Sequence, residues 1–175
     1  MSFQALERTS VFRGRLLEVN VERFRHADGE EVSREIVHHQ GAVGVLAHDQ
    51  EQLVLVRQPR EAIGATDLLE IPAGRLDVPG EAPLACAKRE LAEEVGLAAA
   101  LWEPILSYHS SPGFTDELVH LFWARELSPT RAESHENERI EIVRWPLAQL
   151  GEAIEACTDA KTLIALLWLA RRLKD

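Results

Sequence analysis

The first forty residues alternate between apolar and polar positions in the manner of β-strands. Alternation runs over residues 17–24 and is followed by Asp28-Gly29, a dipeptide typical of hairpin turns, and by a second run over 32–38. With the preceding segment at 11–15, this pattern predicts three strands, which can bury little surface alone. We therefore expect an N-terminal β-strand subdomain over residues 1–40 that needs the main domain or a partner chain to cover it.

The remaining residues, 41–175, show strand and helix periods in turn. The almost unbroken apolar run at 42–47 is typical of a central strand that is covered on both faces. Interleaved periods predict an α/β (α+β) domain with a mixed β-sheet. Further strands are predicted at 53–56, 67–71, 102–109, 118–125 and 140–145, and helices at 83–96, at 146–156 and from a cap at Thr158 or Asp159 to about residue 173.

Charge and composition narrow the class of protein. A formal charge of −10 at pH 7 argues against a nucleic-acid-binding surface. The two cysteines, Cys86 and Cys157, lie far apart in sequence and are expected to be small buried thiols in a reducing compartment. The N-terminus has no signal-peptide pattern, and the longest apolar run, 163–170, is too short to span a bilayer. We expect a cytoplasmic protein with no membrane contact.

Three glutamates share one side of the helix predicted at 83–96. At about 100° per residue, Glu90 and Glu94 stack on one face and Glu93 lies beside them. Lys88 and Arg89 offset only part of this repulsion, whereas a bound divalent cation would make the cluster favourable, and carboxylate oxygens suit Mg²⁺ or Mn²⁺. The alternative is a solvated acidic helix face with Glu–Arg pairs.

The spacing around this helix resembles the Nudix box. Glu81 is followed, after seven residues, by Arg89-Glu90-Leu91-x-Glu93-Glu94-x-Gly96-Leu97, which matches the box without a gap. Six residues separate Gly74 from Glu81, one more than the pattern has, and the additional residue falls in a turn. Pro112, sixteen residues after Gly96, and the segments at 57–60, 69–74 and 111–117 are similar to the ADP-ribose pyrophosphatase subgroup.

This resemblance implies a fold and an activity. The fold would be a Nudix-type α/β/α sandwich over residues 41–175, with the N-terminal strands joining two chains into a homodimer. The activity would be Mg²⁺-dependent hydrolysis of ADP-ribose to AMP and ribose 5-phosphate, with two or three ions and with Mn²⁺ as a substitute. The alternatives are hydrolysis of another substrate, such as GDP-mannose or NADH, and a non-catalytic module that senses ADP-ribose.

The resemblance also assigns roles to residues. Arg89 would orient the carboxylates of the cluster. A glutamate on the loop before the last strand would activate the attacking water, with Glu136 favoured as the base and Glu138 as an additional metal contact. The alternative is that these two glutamates only keep an acidic loop solvated. The implied metal ligands are Glu90, Glu94, Glu93 and the Ala73 carbonyl, with Glu81 as an outer ligand.

The same resemblance implies a set of substrate-binding residues. Arg34 and Arg60 would contact the substrate, with surface ion pairs as the alternative for both. Glu117 would lie near the terminal ribose, and Phe114 would either line the substrate loop or pack in the interior. The complete predicted set is Arg15, Arg34, Arg60, Gly74, Pro112, Phe114 and Glu117, with Arg15 and Arg34 acting across the dimer interface.

Overall fold

The structure is a computed structural model that describes residues 2–131 and 139–174. The chain divides into two compact units, of which the first comprises Met1–Gly41 and Tyr108–Leu118 and the second comprises Ala42–Ser107 and Val119–Asp175. The first unit thus adds a later segment to the N-terminal residues. The strands are β1 (Phe3–Arg13), β2 (Glu18–His26), β3 (Glu31–His38), β4 (Ala42–His48), β5 (Gln52–Arg60), β6 (Ala65–Glu70), β7 (Ala73–Arg75), β8 (Leu97–His109), β9 (Leu118–Pro129) and β10 (Glu141–Pro146), and the helices are α1 (Pro83–Val95), α2 (Leu150–Ala156) and α3 (Ala160–Arg172).

The first unit is built on a three-stranded antiparallel sheet in the order β1-β2-β3. Gly29, at the turn between β2 and β3, has a φ of +90°, which confirms the predicted Asp28-Gly29 hairpin. The segment between β8 and β9 joins this sheet through Val37, whose N–H donates to the Phe114 carbonyl at 2.8 Å. Its carbonyl accepts from the Asp116 N–H at 3.3 Å. Residues 110–117 therefore extend the first unit beyond β3.

The second unit contains a mixed seven-stranded sheet. Five strands follow the order β10-β5-β4-β9-β8, while β6 pairs with β5 and β7 pairs with β4. The β4–β9 pair is parallel, whereas β5 pairs antiparallel with β4, β6 and β10. The predicted mixed sheet is confirmed.

The central strand β4 is covered on both faces, as its apolar run predicts. Val43 and Val45 pack with buried residues of α1 on one face. On the other face, Leu46 pairs in register with Trp123 of β9, whose ring meets that of Trp168 in α3 at a centroid distance of 5.2 Å. Helices therefore lie on opposite faces of the sheet, which confirms the α/β/α sandwich.

Helix α1 begins and ends where the sequence indicates. Pro83 occupies its first turn, where a missing N–H has no intrahelical acceptor. Gly96 ends it in the left-handed region at a φ of +66°, and its N–H donates to carbonyls of the last turn. None of the described helices is long and apolar enough to cross a bilayer.

Some elements differ from their predicted form. The strand β1 starts at Phe3 rather than near residue 11, because its pairing with β2, and not a buried face, makes it a strand. The helix predicted at 146–156 is shorter: Pro146 ends β10 with an extended ψ of 126°, a 3-10 turn follows, and α2 begins at Leu150. Of the two predicted caps for the last helix, Asp159 is the one observed.

Thr162 links α3 to the sheet and provides a test of this packing. Its fully buried hydroxyl donates to Asp159 Oδ2 at 2.6 Å and accepts from the Ile71 N–H at 2.8 Å. We expect Thr162→Val to lower the free energy of unfolding by about 2 kcal/mol, because a buried N–H loses its acceptor. Thr162→Ser keeps the hydroxyl and should lose only about 1 kcal/mol in denaturant unfolding. Equal losses for the two variants would contradict this role of the hydroxyl.

Candidate active site

The acidic cluster is built where β7 meets α1. Residues 73–75 pair antiparallel with β4, so Ala73 and Gly74 are fixed at the centre of the sheet. The turn that follows leads into α1, which buries Cys86, Ala87 and Leu91 against the sheet. Because one face of the helix is committed to this core, its glutamates are directed to the adjacent face beside β7.

Arg89 gathers three carboxylates of this cluster. Its Nε and Nη2 donate to the two oxygens of Glu81 at 3.1 and 2.9 Å, which is a bidentate pair. Its Nη1 donates to Glu90 at 2.7 Å and to Glu93 at 3.0 Å. The bond to Glu81, opposed by desolvation and aided by Glu90 and Glu93, raises the pKa of Arg89, while Arg89 lowers the pKa of Glu81. One permanent cation therefore offsets the repulsion among the acids.

Glu90 passes directly over Gly74. A Cβ atom added at Gly74 would lie 1.9 Å from Glu90 Cδ and 2.1 Å from its Oε1, closer than any real contact allows. Glycine is thus required here for the approach of a carboxylate. Although six residues separate Gly74 from Glu81, one more than the box pattern has, both residues still lie within this cluster.

Glu94 is anchored to the backbone of β7. Its Oε2 accepts from the Ala73 N–H at 3.0 Å, so the strand and the last turn of α1 are joined through this side chain. Glu94 also lies close enough to Arg60 for its negative charge to add to the larger effect of Glu70, which raises the pKa of Arg60. The side chains predicted to hold metal are therefore all found at the β7–α1 junction.

The donors at this junction fit a hard divalent cation. They are carboxylate oxygens, which Mg²⁺ prefers, and the Gly74 cradle brings one of them against the strand that carries Ala73. Within residues 2–131 and 139–174, no three His, Cys, Asp or Glu side chains already converge as a metal site. In the conformation described, Glu90 and Glu93 bond to Arg89 instead.

The thiol beneath the cluster is unreactive. Burial, as the largest cause, and the nearby charge of Glu90, as the second, raise the pKa of Cys86 to about 12. Its Sγ donates to the Arg75 carbonyl at 3.3 Å and accepts from Arg89 at 3.3 Å. Cys86 and Cys157 are both free and buried, as predicted.

A second ionic group surrounds the predicted substrate residue Arg60. Its Nε and Nη2 donate to the two oxygens of Glu70 at 2.6 and 2.8 Å, and Lys161 bonds to the same carboxylate. Although full burial alone would raise the pKa of Glu70, these two cations outweigh it and lower the pKa. Arg60 is therefore in an ion pair with a buried partner, and not with a surface one.

Three other predicted substrate residues meet in the first unit. Arg34, Pro112 and Phe114 all line a cavity of about 410 Å³. Phe3, Phe24, Val32 and Ile36 of the sheet complete its apolar wall. The structure thus brings residues of β3 and of the 110–117 segment, Arg34 among them, together around one open space.

The other predicted residues lie apart from these groups or beyond the described chain. Arg15 is exposed in the bend between β1 and β2. Glu117 lies beside His39, with 3.4 Å between its Oε1 and the ring Nδ1. The predicted base Glu136 and its neighbour Glu138 are outside the residues that the structure describes.

Two charged groups escaped the sequence analysis. Glu70 stands in an apolar strand, a signal that marks a buried acid, but its partner Lys161 is 91 residues away. His38 bonds to Asp116, 78 residues away, and no ligand spacing marks it in the sequence. Both groups depend on tertiary pairing, which sequence spacing does not reveal.

Comparison with known proteins gives the family. The NUDIX domain matches residues 38–167. The chain is 37% identical to an ADP-ribose pyrophosphatase of Bacillus subtilis (strain 168) and 35% identical to a methanol dehydrogenase activator of Bacillus methanolicus, in each case over 95% of this chain and 91% of the other. A crystal structure of an ADP compounds hydrolase matches with a TM-score of 0.87 at 26% identity, over 99% of this chain and 95% of that one.

These matches extend well beyond the α1 cluster. The relatives align with almost the whole chain, including the N-terminal strands, and the structural match covers the same extent. The predicted resemblance is confirmed, and with it the expectation of an enzyme. The chain belongs to the NUDIX family and is a pyrophosphohydrolase similar to ADP-ribose pyrophosphatases.

Proposed function

We propose that the enzyme hydrolyses the pyrophosphate of ADP-ribose to AMP and ribose 5-phosphate, with Mg²⁺ as its cofactor. The observation that carries the proposal is the cluster in which Arg89 joins Glu81, Glu90 and Glu93 beside Gly74. A relative named as an ADP-ribose pyrophosphatase, 37% identical over nearly the whole chain, supports the choice of substrate.

Glu90, Glu93, Glu94 and the Ala73 carbonyl would hold the metal, with Glu81 as an outer ligand. When bound there, two or three Mg²⁺ or Mn²⁺ ions supply neutralising charge to the diphosphate and lower the pKa of a water molecule. The residues of the chain determine where the carboxylate ligands lie. The Ala73 N–H fixes Glu94, whereas Arg89 holds Glu90 and Glu93 at the junction, and these two side chains would exchange Arg89 for the ion on binding.

Proton transfer requires a base, and we assign it to Glu136. The Glu136 carboxylate, on the loop predicted before the last strand, would accept the proton of the attacking water, while Glu138 would add a further metal contact. Arg89 is unsuited to that role, because its pKa is raised and its donors are directed at carboxylates. Its contribution is to orient the glutamates of α1.

Recognition of the nucleotide is proposed for the remaining arginines and the cavity in the first unit. Arg34 brings positive charge and Asp116 negative charge to a cavity that Phe114 and Pro112 line; the guanidinium suits a phosphate group and the aromatic ring suits a planar base. Arg60 is held by Glu70, which fixes the direction of its guanidinium. Arg15, Gly74 and Glu117 complete the proposed substrate-binding set.

The substrate is the first property to test. We expect ADP-ribose to be hydrolysed with a higher kcat/KM than GDP-mannose or NADH when products are separated by chromatography. Glu94→Gln should reduce kcat by about two to three orders of magnitude, because a charged oxygen ligand is lost. The fold should persist, since the glutamine oxygen still accepts from the Ala73 N–H.

The exposed Glu152 of α2 offers a matched control for this substitution. Glu152→Gln makes the same chemical change at the surface and should leave kcat at the wild-type value. Full turnover by Glu94→Gln at saturating Mg²⁺ would refute the metal assignment. Tight binding of ADP-ribose in calorimetry, without turnover in Mg²⁺ or Mn²⁺, would instead identify a sensing module.

The loop base is tested by two separate substitutions. Glu136→Gln should lower kcat by about a hundredfold and change KM much less, because a general base acts in the chemical step. Glu138→Gln should have a smaller effect on kcat. Steady-state kinetics at saturating Mg²⁺ would distinguish them, and a silent Glu136→Gln with a strong loss for Glu138→Gln would move the role to Glu138.

We also propose that the chain forms a homodimer through its N-terminal strands. The strand β1 is at the edge of the three-stranded sheet and exposes Phe3, Val11 and Phe12, with 67%, 64% and 56% of their surface accessible. An edge strand of this length that exposes apolar side chains is a site for pairing with another chain. A second copy of this strand is the proposed occupant.

Light scattering provides the test of the dimer. At micromolar concentration we expect twice the mass of the chain, and we expect Val11→Lys to shift the population towards the monomer because a charge at an apolar interface must be desolvated. Glu152→Lys, at an exposed position of α2 and outside β1, should leave the dimer intact. A fully active wild-type monomer would contradict the proposal.

A further inference from the structure

His38, the last residue of β3, is held between two carboxylates. Its Nδ1 lies 2.5 Å from Asp116 Oδ2, and its Nε2 lies 2.7 Å from Glu22 Oε1. Glu22 is a buried residue of β2, whereas Asp116 belongs to the 110–117 segment. A single imidazole thus bridges the sheet and that segment within the first unit.

The ring must carry two protons to make both bonds. A neutral imidazole has one N–H donor and one acceptor, and a carboxylate can only accept. With the neutral ring, one of the two short contacts would set a nitrogen lone pair against a carboxylate oxygen. The arrangement therefore requires the imidazolium form, in which each nitrogen donates to one carboxylate.

Further charged and polar groups surround His38 and its two carboxylate partners. Arg8 of β1 forms an ion pair with the same Glu22 oxygen, with its Nε at 2.8 Å, so Glu22 is shared between two cations. On the segment, Asp116 Oδ1 accepts from the His39 N–H at 2.9 Å, and Glu117 faces the His39 ring. The other neighbours on β2 are the buried amide of Asn20 and Glu18, which is opposite His38 in the strand register and is ion-paired with Arg13.

The 110–117 segment has few other ties to the sheet. Val37 exchanges two backbone hydrogen bonds with it, of 2.8 and 3.3 Å, and the longer one ends at Asp116. The same segment supplies Pro112, Phe114 and Asp116 to the lining of the cavity that contains Arg34. The bond between His38 and Asp116 therefore helps to determine where these lining residues stand.

We propose that His38 is a positioning residue: held as an imidazolium between Glu22 and Asp116, it fixes the 110–117 segment on β3 and so shapes the cavity for substrate. The role in catalysis rests on the proposed function, in which this cavity receives part of the nucleotide. The fixing of the segment itself does not depend on any substrate.

The direction of the pH dependence follows from the contacts. The hydrogen bond to Asp116, opposed by partial burial and aided by Glu22, raises the pKa of His38. Stabilisation of the segment is then complete below the ordinary histidine pKa of about 6.5 and is lost as pH rises through the raised value. The segment should be held most firmly below the raised pKa of His38, as long as the carboxyl group of Asp116 stays ionised.

The first arm of the test needs no substrate. NMR titration should give His38 a midpoint above that of an ordinary histidine, resolved from His26 and His109, which line the cavity. Hydrogen exchange of residues 110–117, corrected for the intrinsic pH dependence, should accelerate roughly fivefold as His38 loses its proton. His38→Gln should show the faster exchange at every pH, with no step.

Two further variants test whether the effect on exchange depends on the charge of Asp116 and is specific to His38. Asp116→Asn retains the acceptor for the His39 N–H but removes the charge, so the His38 midpoint should fall and the exchange step should move to lower pH. His120→Gln removes a histidine of the second unit that bonds to Ser107, and it should leave the exchange of the segment unchanged.

The second arm measures kinetics with ADP-ribose. The wild-type KM should rise roughly fivefold as pH passes through the His38 midpoint, and the KM of His38→Gln should be raised at every pH and lack this step. The kcat should be similar for both proteins at each pH, because His38 acts on binding and not on the chemical step.

The outcomes separate this proposal from the proposed function. Equal exchange in wild type and His38→Gln, or a His38 midpoint below the ordinary value, would overturn it. A loosened segment with an unchanged KM would overturn the positioning role and leave His38 a purely structural residue. Absence of any ADP-ribose hydrolysis in wild type would refute the proposed function, and the cavity role with it, while the exchange measurement would still decide whether His38 fixes the segment.

Discussion

The structure must offset the electrostatic repulsion among the glutamates that α1 places on one face. Arg89 makes this arrangement tolerable, because its planar guanidinium bonds to Glu81, Glu90 and Glu93 at once. Each bond requires another feature of the fold. The turn before α1 must deliver Glu81, and β7 must present Gly74 so that Glu90 can pass over it. The acidic site is therefore a property of the strand, turn and helix together.

The same physical solution recurs in other parts of the chain. Buried Glu70 is compensated by Arg60 and Lys161, which come from the end of β5 and the start of α3. In the first unit, His38 lies between two carboxylates from different segments. In each case a carboxylate with little access to water has been given cationic partners from elsewhere in the sequence, as the cost of desolvation requires.

The sequence allows accurate prediction where the signal is local. Pro83, Gly96 and the apolar period define α1, and the spacing of its glutamates identifies the family. Prediction fails where distant pairing decides the outcome. The strand β1 is almost entirely exposed, so its pattern carries no burial signal. The partners of Glu70 and His38 come from segments 91 and 78 residues away, and no spacing rule reaches that far.

The parallel pairing of β4 with β9 has a consequence for how the enzyme folds. Ala42 is opposite Val119, and the helix with the acidic cluster lies in the long connection between the two strands. Contacts between such distant residues form late, because closing a long chain costs entropy before any contact is gained. Helix α1 can form early from its own short-range bonds, and its Glu94 reaches Ala73 of β7 across a separation of only 21 residues. Assembly of the acidic face should thus precede completion of the sheet by β9.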